Sequence, residues 1–313
     1  TNERQKIKTR NPKQQKGIPR VPNAEGKAKP AGKKSNILSI ARTNVISVPP
    51  TMSIIEGVQM MSRHSFRRLP ITDPGNKKLI GIVTITDVIN MMGGGSRYNL
   101  VANRHKGSLL SALNDDIRAI ATERVDSLSP STSIQEAICL LVKSGHGSFP
   151  ITNPDNTIAG IVTEYDIMKM LAGTASELIV DEIMTRNPKV VAPDVAINCV
   201  TKQMVDHDYR RLPVVSNDLL IGMITATDIM GYLGRGRVFT EMKTGSVDEV
   251  LNLPVRDLMT GANIRTMSPD EKINDVAREM LEFGIGAFPV IDEGKLIGIV
   301  TEFDLVKGLA GNV

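Results

Sequence analysis

The sequence predicts a mixed α/β (α+β) fold made of four copies of one unit, strand–helix–strand–strand–helix. Three observations carry this. Four segments of the 313-residue chain are self-similar, which is the mark of a repeat architecture. Each segment joins short apolar runs to a stretch with helical spacing. Aromatic residues make up only 3% and Trp is absent, so the core must be Ile, Val, Leu and Met, and surfaces that stack bases on rings are disfavoured.

The segments are FRRLPITDPGNKKLIGIVTITDVINMM from Phe66, GSFPITNPDNTIAGIVTEYDIMKML from Gly147, YRRLPVVSNDLLIGMITATDIMGYL from Tyr209 and GAFPVIDEGKLIGIVTEFDLVKGL from Gly286. In each, a short apolar strand carries a proline (Pro70, Pro150, Pro213 or Pro289). A turn of Gly, Asn and Asp follows, as a hairpin requires. A second apolar strand ends in Thr, and a helix begins at an Asp. Upstream lie another strand and an amphipathic helix. In the fourth repeat Ile273, Val276, Ala277, Met280 and Leu281 fall on one helical face. Ser53 with Glu56, and Ser133 with Glu136, have the spacing of capping boxes.

The repeats alternate. The first and third share Arg-Arg-Leu-Pro and Thr-x-Thr-Asp; the second and fourth share Gly-x-Phe-Pro and Thr-Glu-x-Asp. The order A-B-A-B is a duplicated pair. A lone unit of about 60 residues buries too little apolar surface to be comfortable, so two tight A–B modules packed on each other are expected. The boundaries read as a tail at 1–35, repeats at 36–95, 116–175, 176–236 and 254–313, and connections at 96–115 and 237–253. The connections, around Gly93–Asp116 and Gly234–Asp257, are expected to add short helices at the edge.

Residues 1–35 hold eleven basic and two acidic side chains, while the whole chain is only +4. A tail this polar cannot offset its conformational entropy and reads as disordered. Contact with nucleic acid or an acidic partner is its functional reading; a solvated tail that binds nothing specific is the other. No apolar run reaches the ~18 residues that cross a bilayer, and the polar, basic N-terminus shows no signal peptide. Cys139 and Cys199 read as buried, reduced thiols of a cytoplasmic protein.

Enzyme signatures are missing: Gly-x-Ser-x-Gly, His-Glu-x-x-His and the Walker loop do not occur. The histidines (His64, His105, His146, His207) are scattered, so neither a catalytic metal nor a catalytic cofactor is expected. What recurs is Thr-x-x-Asp at the strand-to-helix junction: Thr84/Asp87, Thr163/Asp166, Thr225/Asp228 and Thr301/Asp304. A carboxylate there is acceptor-only and suits the two donor hydroxyls of a ribose. The same motif is also a helix cap with an acid in the first turn. The arginines Arg67–Arg68 and Arg210–Arg211, present in the A repeats only, favour the ligand reading. Guanidinium forks match phosphate oxygens, and strand alternation would send one of each pair to a cleft and the other to solvent. Surface salt bridging is their alternative role. Gly93-Gly94-Gly95-Ser96-Arg97 reads as a helix stop and flexible linker, or as a backbone anion nest matched by Gly234-Arg235-Gly236-Arg237.

These segments resemble cystathionine-β-synthase (CBS) domains, which work in pairs called Bateman modules. The carriers are the hairpin-borne Leu-Pro and the Gly-Ile-Val-Thr-x-x-Asp that leads into a helix. The resemblance spans residues 36–312. A chain of two such modules looks like the archaeal four-CBS proteins that resemble the gamma subunit of AMP-activated protein kinase, and the stretch Met92–Leu100 strengthens the match. The resemblance implies two Bateman modules in a compact disk. It also implies a non-catalytic sensor of AMP, ADP or ATP that signals to a protein partner. By position, Asp87, Asp166, Asp228 and Asp304 would hold ribose hydroxyls, with Thr84, Thr163, Thr225 and Thr301 nearby. Ile82, Ile161, Met223 and Ile299 would border adenine, and Arg67, Arg68, Arg210 and Arg211 would meet phosphates. The B repeats have no base at that place, so their clefts either stay empty or borrow an arginine. Two rival functions are an S-adenosylmethionine sensor on the same fold and a nucleic-acid-binding regulator that uses the tail. A cytoplasmic monomer or homodimer, away from membranes, is expected.

Overall fold

The computed structural model describes residues 36–173, 176–236, 242–261 and 263–311. The basic tail and Arg237, with the roles expected of them, lie outside the described residues. The first repeat contains α1 (Ile54–His64), β1 (Arg68–Thr72), β2 (Leu79–Thr84) and α2 (Ile85–Met92), and α3 (Leu109–Leu113) follows in the connection. The second contains α4 (Ile134–Ser144), β3 (Ser148–Thr152), β4 (Ile158–Thr163) and α5 (Glu164–Leu171). After α6 (Val180–Ile183) and the short β5 (Thr185–Arg186), the third repeat supplies α7 (Ile197–Asp206), β6 (Arg211–Ser216), β7 (Leu219–Thr225) and α8 (Ala226–Gly234). Then come α9 (Val247–Leu251), α10 (Ile273–Phe283), β8 (Ala287–Asp292), β9 (Lys295–Thr301) and α11 (Glu302–Gly311).

The local signals act as expected with one exception: at Ser133 only half of the box forms, the Glu136 N–H donating to Ser133 Oγ at 3.2 Å. Ser53 and Glu56 form a reciprocal box: the Ser53 N–H donates to Glu56 Oε2 at 3.0 Å and the Glu56 N–H to Ser53 Oγ at 3.3 Å. On α10, Ile273, Val276, Ala277 and Met280 are fully buried, the larger of them worth about 1.5–3 kcal/mol each. The strand upstream of each helix shrinks to a single bridging residue, parallel to the first hairpin strand: Val48 to Ile71, Leu128 to Ile151, Val191 to Val214 and Met267 to Val290.

Each hairpin is antiparallel, with its proline opposite a residue of the second strand: Pro70 opposite Ile82, Pro150 opposite Ile161, Pro213 opposite Met223 and Pro289 opposite Ile299. Proline has no N–H to give, and none is needed there. Ile82 directs its N–H and C=O the other way, to Thr122 at 3.0 and 2.9 Å. That outer partner is exchanged between repeats. Thr122, near the start of the second repeat, pairs with Ile82 of the first, and Arg42, near the start of the first, pairs with Ile161 of the second. Thr260 pairs with Met223, and β5 with β9, in the same manner. Exchanged strands therefore join repeats one with two and three with four.

Helices join the other way. Helix α1 packs on α8, and α2 on α7 and α8, so the A repeats share one apolar core. Helix α11 packs on α4 and α5, and α10 on α5, so the B repeats share another face. The connections are not edge decoration. Val101, Leu109, Leu113 and Val250 are fully buried in the A–A core. The two connections also pair with each other, Leu109 N–H to Gly245 O and Val247 N–H to Gly107 O, both at 3.1 Å. The glycine run stops α2 at Gly93, as expected, and brings two helices close together. A Cβ on Gly93 would lie 2.9 Å from the Thr201 backbone, and one on Gly234 would lie 2.8 Å from Ser62. These glycines let the helix ends of repeats one and three cross closely.

Cys139 and Cys199 are exposed, contrary to the burial expected. Each sits one position off its helix's apolar stripe, Cys139 beside buried Ile138 and Cys199 beside buried Val200. No helix among the described residues is long and apolar enough to cross a membrane. No cluster of His, Cys, Asp and Glu among them could hold a metal ion.

Candidate functional site

The four Thr-x-x-Asp motifs cap their helices and still present a carboxylate oxygen. The backbone N–H groups of Thr84, Thr163, Thr225 and Thr301 donate to Oδ2 of Asp87, Asp166, Asp228 and Asp304 at 2.7–2.9 Å. The threonine hydroxyls donate to the same oxygens at 2.6–2.8 Å. The cap therefore uses only Oδ2, and the expectation of two free oxygens narrows to one. Burial pushes the carboxyls of Asp166, Asp228 and Asp304 above their ordinary range, against the opposing threonine hydrogen bonds.

The Oδ1 atoms differ in what they meet. Asp87 Oδ1 accepts from Arg97 Nε at 2.8 Å and lies 2.6 Å from Arg97 Nη2. Asp166 Oδ1 lies 3.7 Å from Arg42 Nε, whose guanidinium also sits 5.5 Å over the Tyr165 ring. Asp228 Oδ1 has the Thr260 hydroxyl at 3.5 Å. Among the described residues no donor reaches Oδ1 of Asp304.

The paired arginines meet where the modules join. Arg68 lies opposite Thr84 across the first hairpin, and Arg211 opposite Thr225 across the third. Arg68 donates to the Gly147 carbonyl at 2.9 Å, and Arg211 donates to the Gly286 carbonyl. Arg67 forms an ion pair with Glu302, and Arg210 a bidentate one with Glu164 at 3.1 and 3.3 Å. Glu164 and Glu302 are 2% and 3% exposed, while the Arg67 and Arg210 side chains keep 32% and 26% of their surface exposed, so each pair joins an interior carboxylate to a half-buried guanidinium. Burial alone would raise the Glu164 carboxyl, but the charge and hydrogen bonds of Arg210 hold it below its usual range. The four guanidiniums and two carboxylates leave a net charge of +2. Arg68 and Arg211 have only carbonyl partners; burial and the neighbouring arginines push both down to about 10.

This arrangement explains the A-B-A-B alternation. The A repeats supply arginines, and the B repeats supply the glutamate of Thr-Glu-x-Asp and a glycine that makes room. A Cβ on Gly147 would lie 3.0–3.1 Å from Arg210 and Arg68, and one on Gly286 would lie 2.5 Å from Arg67. The arginines of the A repeats thus lie against Gly147 and Gly286 of the B repeats.

The hub opens into a cavity of about 800 Å³ bordered by all four arginines. Asp87, Thr84 and Ile82 of the first repeat border it, as do Asp304, Thr301 and Ile299 of the fourth, together with Pro150 and Pro213. Asp166, Asp228, Thr163, Thr225, Ile161 and Met223 do not border it. Two corrections follow. Neither arginine of a pair turns to solvent, since both reach the hub. The four arginines also do not act alike, because Arg67 and Arg210 already hold carboxylates. Sequence reasoning assigned no role to Glu164, Glu302 or Arg97. For the glutamates the signal was present, a carboxylate in the repeats that lack arginine. For Arg97 none was, because its partner Asp87 lies ten residues back on another element. His146, His207 and Lys189 also border the cavity unanticipated.

Comparison with known proteins adds family and fold. The family model for the CBS domain matches residues 37–94, 117–173, 180–235 and 255–311. Protein MJ1225 of Methanocaldococcus jannaschii is 35% identical over 277 residues, which is 88% of this chain and 99% of that protein. Its crystal structure covers 88% of this chain and 100% of its own, with a TM-score of 0.83. The 5'-AMP-activated protein kinase subunit gamma of Saccharomyces cerevisiae is 22% identical over 284 residues, 84% of this chain and 85% of that subunit.

Proposed function

Because the chain belongs to the CBS-domain family, carrying four repeats of it, we propose that it is a non-catalytic sensor of adenine nucleotides whose binding is read by a protein partner. The observation that carries this is the shared cavity. It offers an open carboxylate oxygen on Asp304, aliphatic walls at Ile82 and Ile299, and two guanidiniums, Arg68 and Arg211, without carboxylate partners. A ribose diol donates to the first, adenine lies against the second, and a phosphate neutralises the third. The mechanism needs no covalent step. A ligand shifts the repeats only by as much as its affinity differs between their arrangements. An S-adenosylmethionine sulfonium would meet the same net positive hub, which disfavours it.

Calorimetric titration with AMP and adenosine tests this. Asp304→Asn keeps an acceptor for the helix cap but loses the charge. We expect it to weaken both ligands by about 1.5–3 kcal/mol, the scale of a hydrogen bond to a charged group. The wild-type protein adds a pH test. The Asp304 carboxyl is raised, so it protonates at higher pH than an ordinary aspartate. Adenosine, which has no phosphate to titrate, should bind less well as pH falls through that raised pKa and bind constantly above it. An adenosine affinity independent of pH from neutrality through the carboxylate range would exclude Asp304 as the ribose ligand.

A further inference from the structure

The two aspartates of the Thr-x-x-Asp motif that border the cavity do not offer equal seats. Asp304 Oδ1 is open, whereas Asp87 Oδ1 is gripped by the Nε–Nη2 edge of Arg97. A guanidinium edge on a carboxylate is the geometry of a strong, charge-assisted pair. Arg97 is held in place for it. Its N–H donates to Asn90 Oδ1 at 2.8 Å, and its Nη2 donates to the Thr122 hydroxyl at 2.9 Å. Gly95, two residues before it, lies so close to Asn90 that a Cβ would come within 2.5 Å. The Arg97 side chain is 22% exposed and that of Asp87 13%, so water screens this pair less than it screens an ordinary surface pair.

We propose that Arg97 is a built-in occupant of the diol seat in the first repeat, so that nucleotide entering the shared cavity settles on Asp304 first and reaches Asp87 only by displacing Arg97. The inference deepens the nucleotide-sensing reading and rests on it. It also makes the two seats report differently. Arg97 belongs to the turn Ser96–Tyr98, and the chain after it runs through Val101 and Leu109, both fully buried in the core between the A repeats. Filling the Asp304 seat leaves that segment alone. Filling the Asp87 seat releases its anchor at the A–A interface, so the second occupancy is the one that loosens how the modules pack.

Equilibrium titration of AMP into the full chain tests this with Arg97→Ala and Arg97→Gln, the second keeping a neutral side chain of similar reach. In both, the weakest AMP-binding step should tighten by about tenfold or more, the equivalent of about 1.4 kcal/mol. Asp87→Asn in the Arg97→Ala background should abolish that gain, which a general loosening of the segment would not do. Asp304→Asn should instead weaken the tightest step. Isotherms unchanged or weakened in both Arg97 variants would overturn the proposal. A wild-type chain that takes up no AMP would overturn the reading beneath it, a distinguishable failure.

Discussion

Glu302→Ala is expected to destabilise the protein, though by less than the about 3–5 kcal/mol that losing one partner of a fully buried ion pair costs, because the Arg67 side chain keeps 32% of its surface exposed. Glu302 is 3% exposed and pairs with Arg67 across the boundary between the first and fourth repeats. Without it, Arg67 stays among Arg68, Arg210 and Arg211 with nothing to offset its charge, and the hub rises from +2 to +3. Chemical denaturation of Glu302→Ala, Arg67→Met and the double variant measures the coupling. Each single change should be costly, and the double should cost less than the sum of the two, because it leaves no unpaired charge behind. The A repeats already carry apolar residues, Ile85 and Ala226, where the B repeats carry the glutamates, and both are buried. Single-variant losses that simply add would show that the pair does not act as a unit. Glu164→Ala should behave in the same way through Arg210.

Arg68→Ala and Arg211→Ala should have the opposite profile, with little loss of stability and a large loss of phosphate recognition. Each guanidinium is depressed to about 10, well below the ordinary arginine value. For a base the sign is direct. A folded-state pKa below the unfolded one means that the charged form costs the fold stability at every pH below about 10, and that this cost fades only as pH rises past it. An incoming anion removes the same cost. Either alanine variant is therefore expected to weaken AMP by about 1.5–3 kcal/mol while leaving adenosine nearly unchanged and the ligand-free melting temperature equal or higher. Equal losses for AMP and adenosine would mean that these arginines shape the cleft without meeting the phosphate.

Much of the fold was legible because it is written in short range. The hairpins, the Ser53–Glu56 box and the α10 stripe depend on residues a few positions apart, and each formed as its pattern implies. The carboxylate motif was legible too, but its two readings were not alternatives: the cap takes Oδ2 and leaves Oδ1. What stayed hidden is long range. Nothing local says that Thr122 closes the sheet of the repeat before it, or that Arg67 reaches a glutamate 235 residues away. The connections read as edge pieces because their few apolar residues are spread thinly. They become core only because both connections pair across the A–A interface. The close crossing of Gly93 with Thr201 stayed hidden for a related reason, since spacing along one chain segment does not reveal it.

The central claim is that one cavity joins a diol-gripping carboxylate to a hub of unneutralised guanidiniums. A crystal structure of the wild-type chain with AMP tests it most directly. The account predicts ribose hydroxyls on Asp304 Oδ1, adenine between Ile299 and the facing wall, and phosphate on Arg68 or Arg211. AMP ordered elsewhere, or a cavity that stays closed to AMP at saturating concentration, would contradict it.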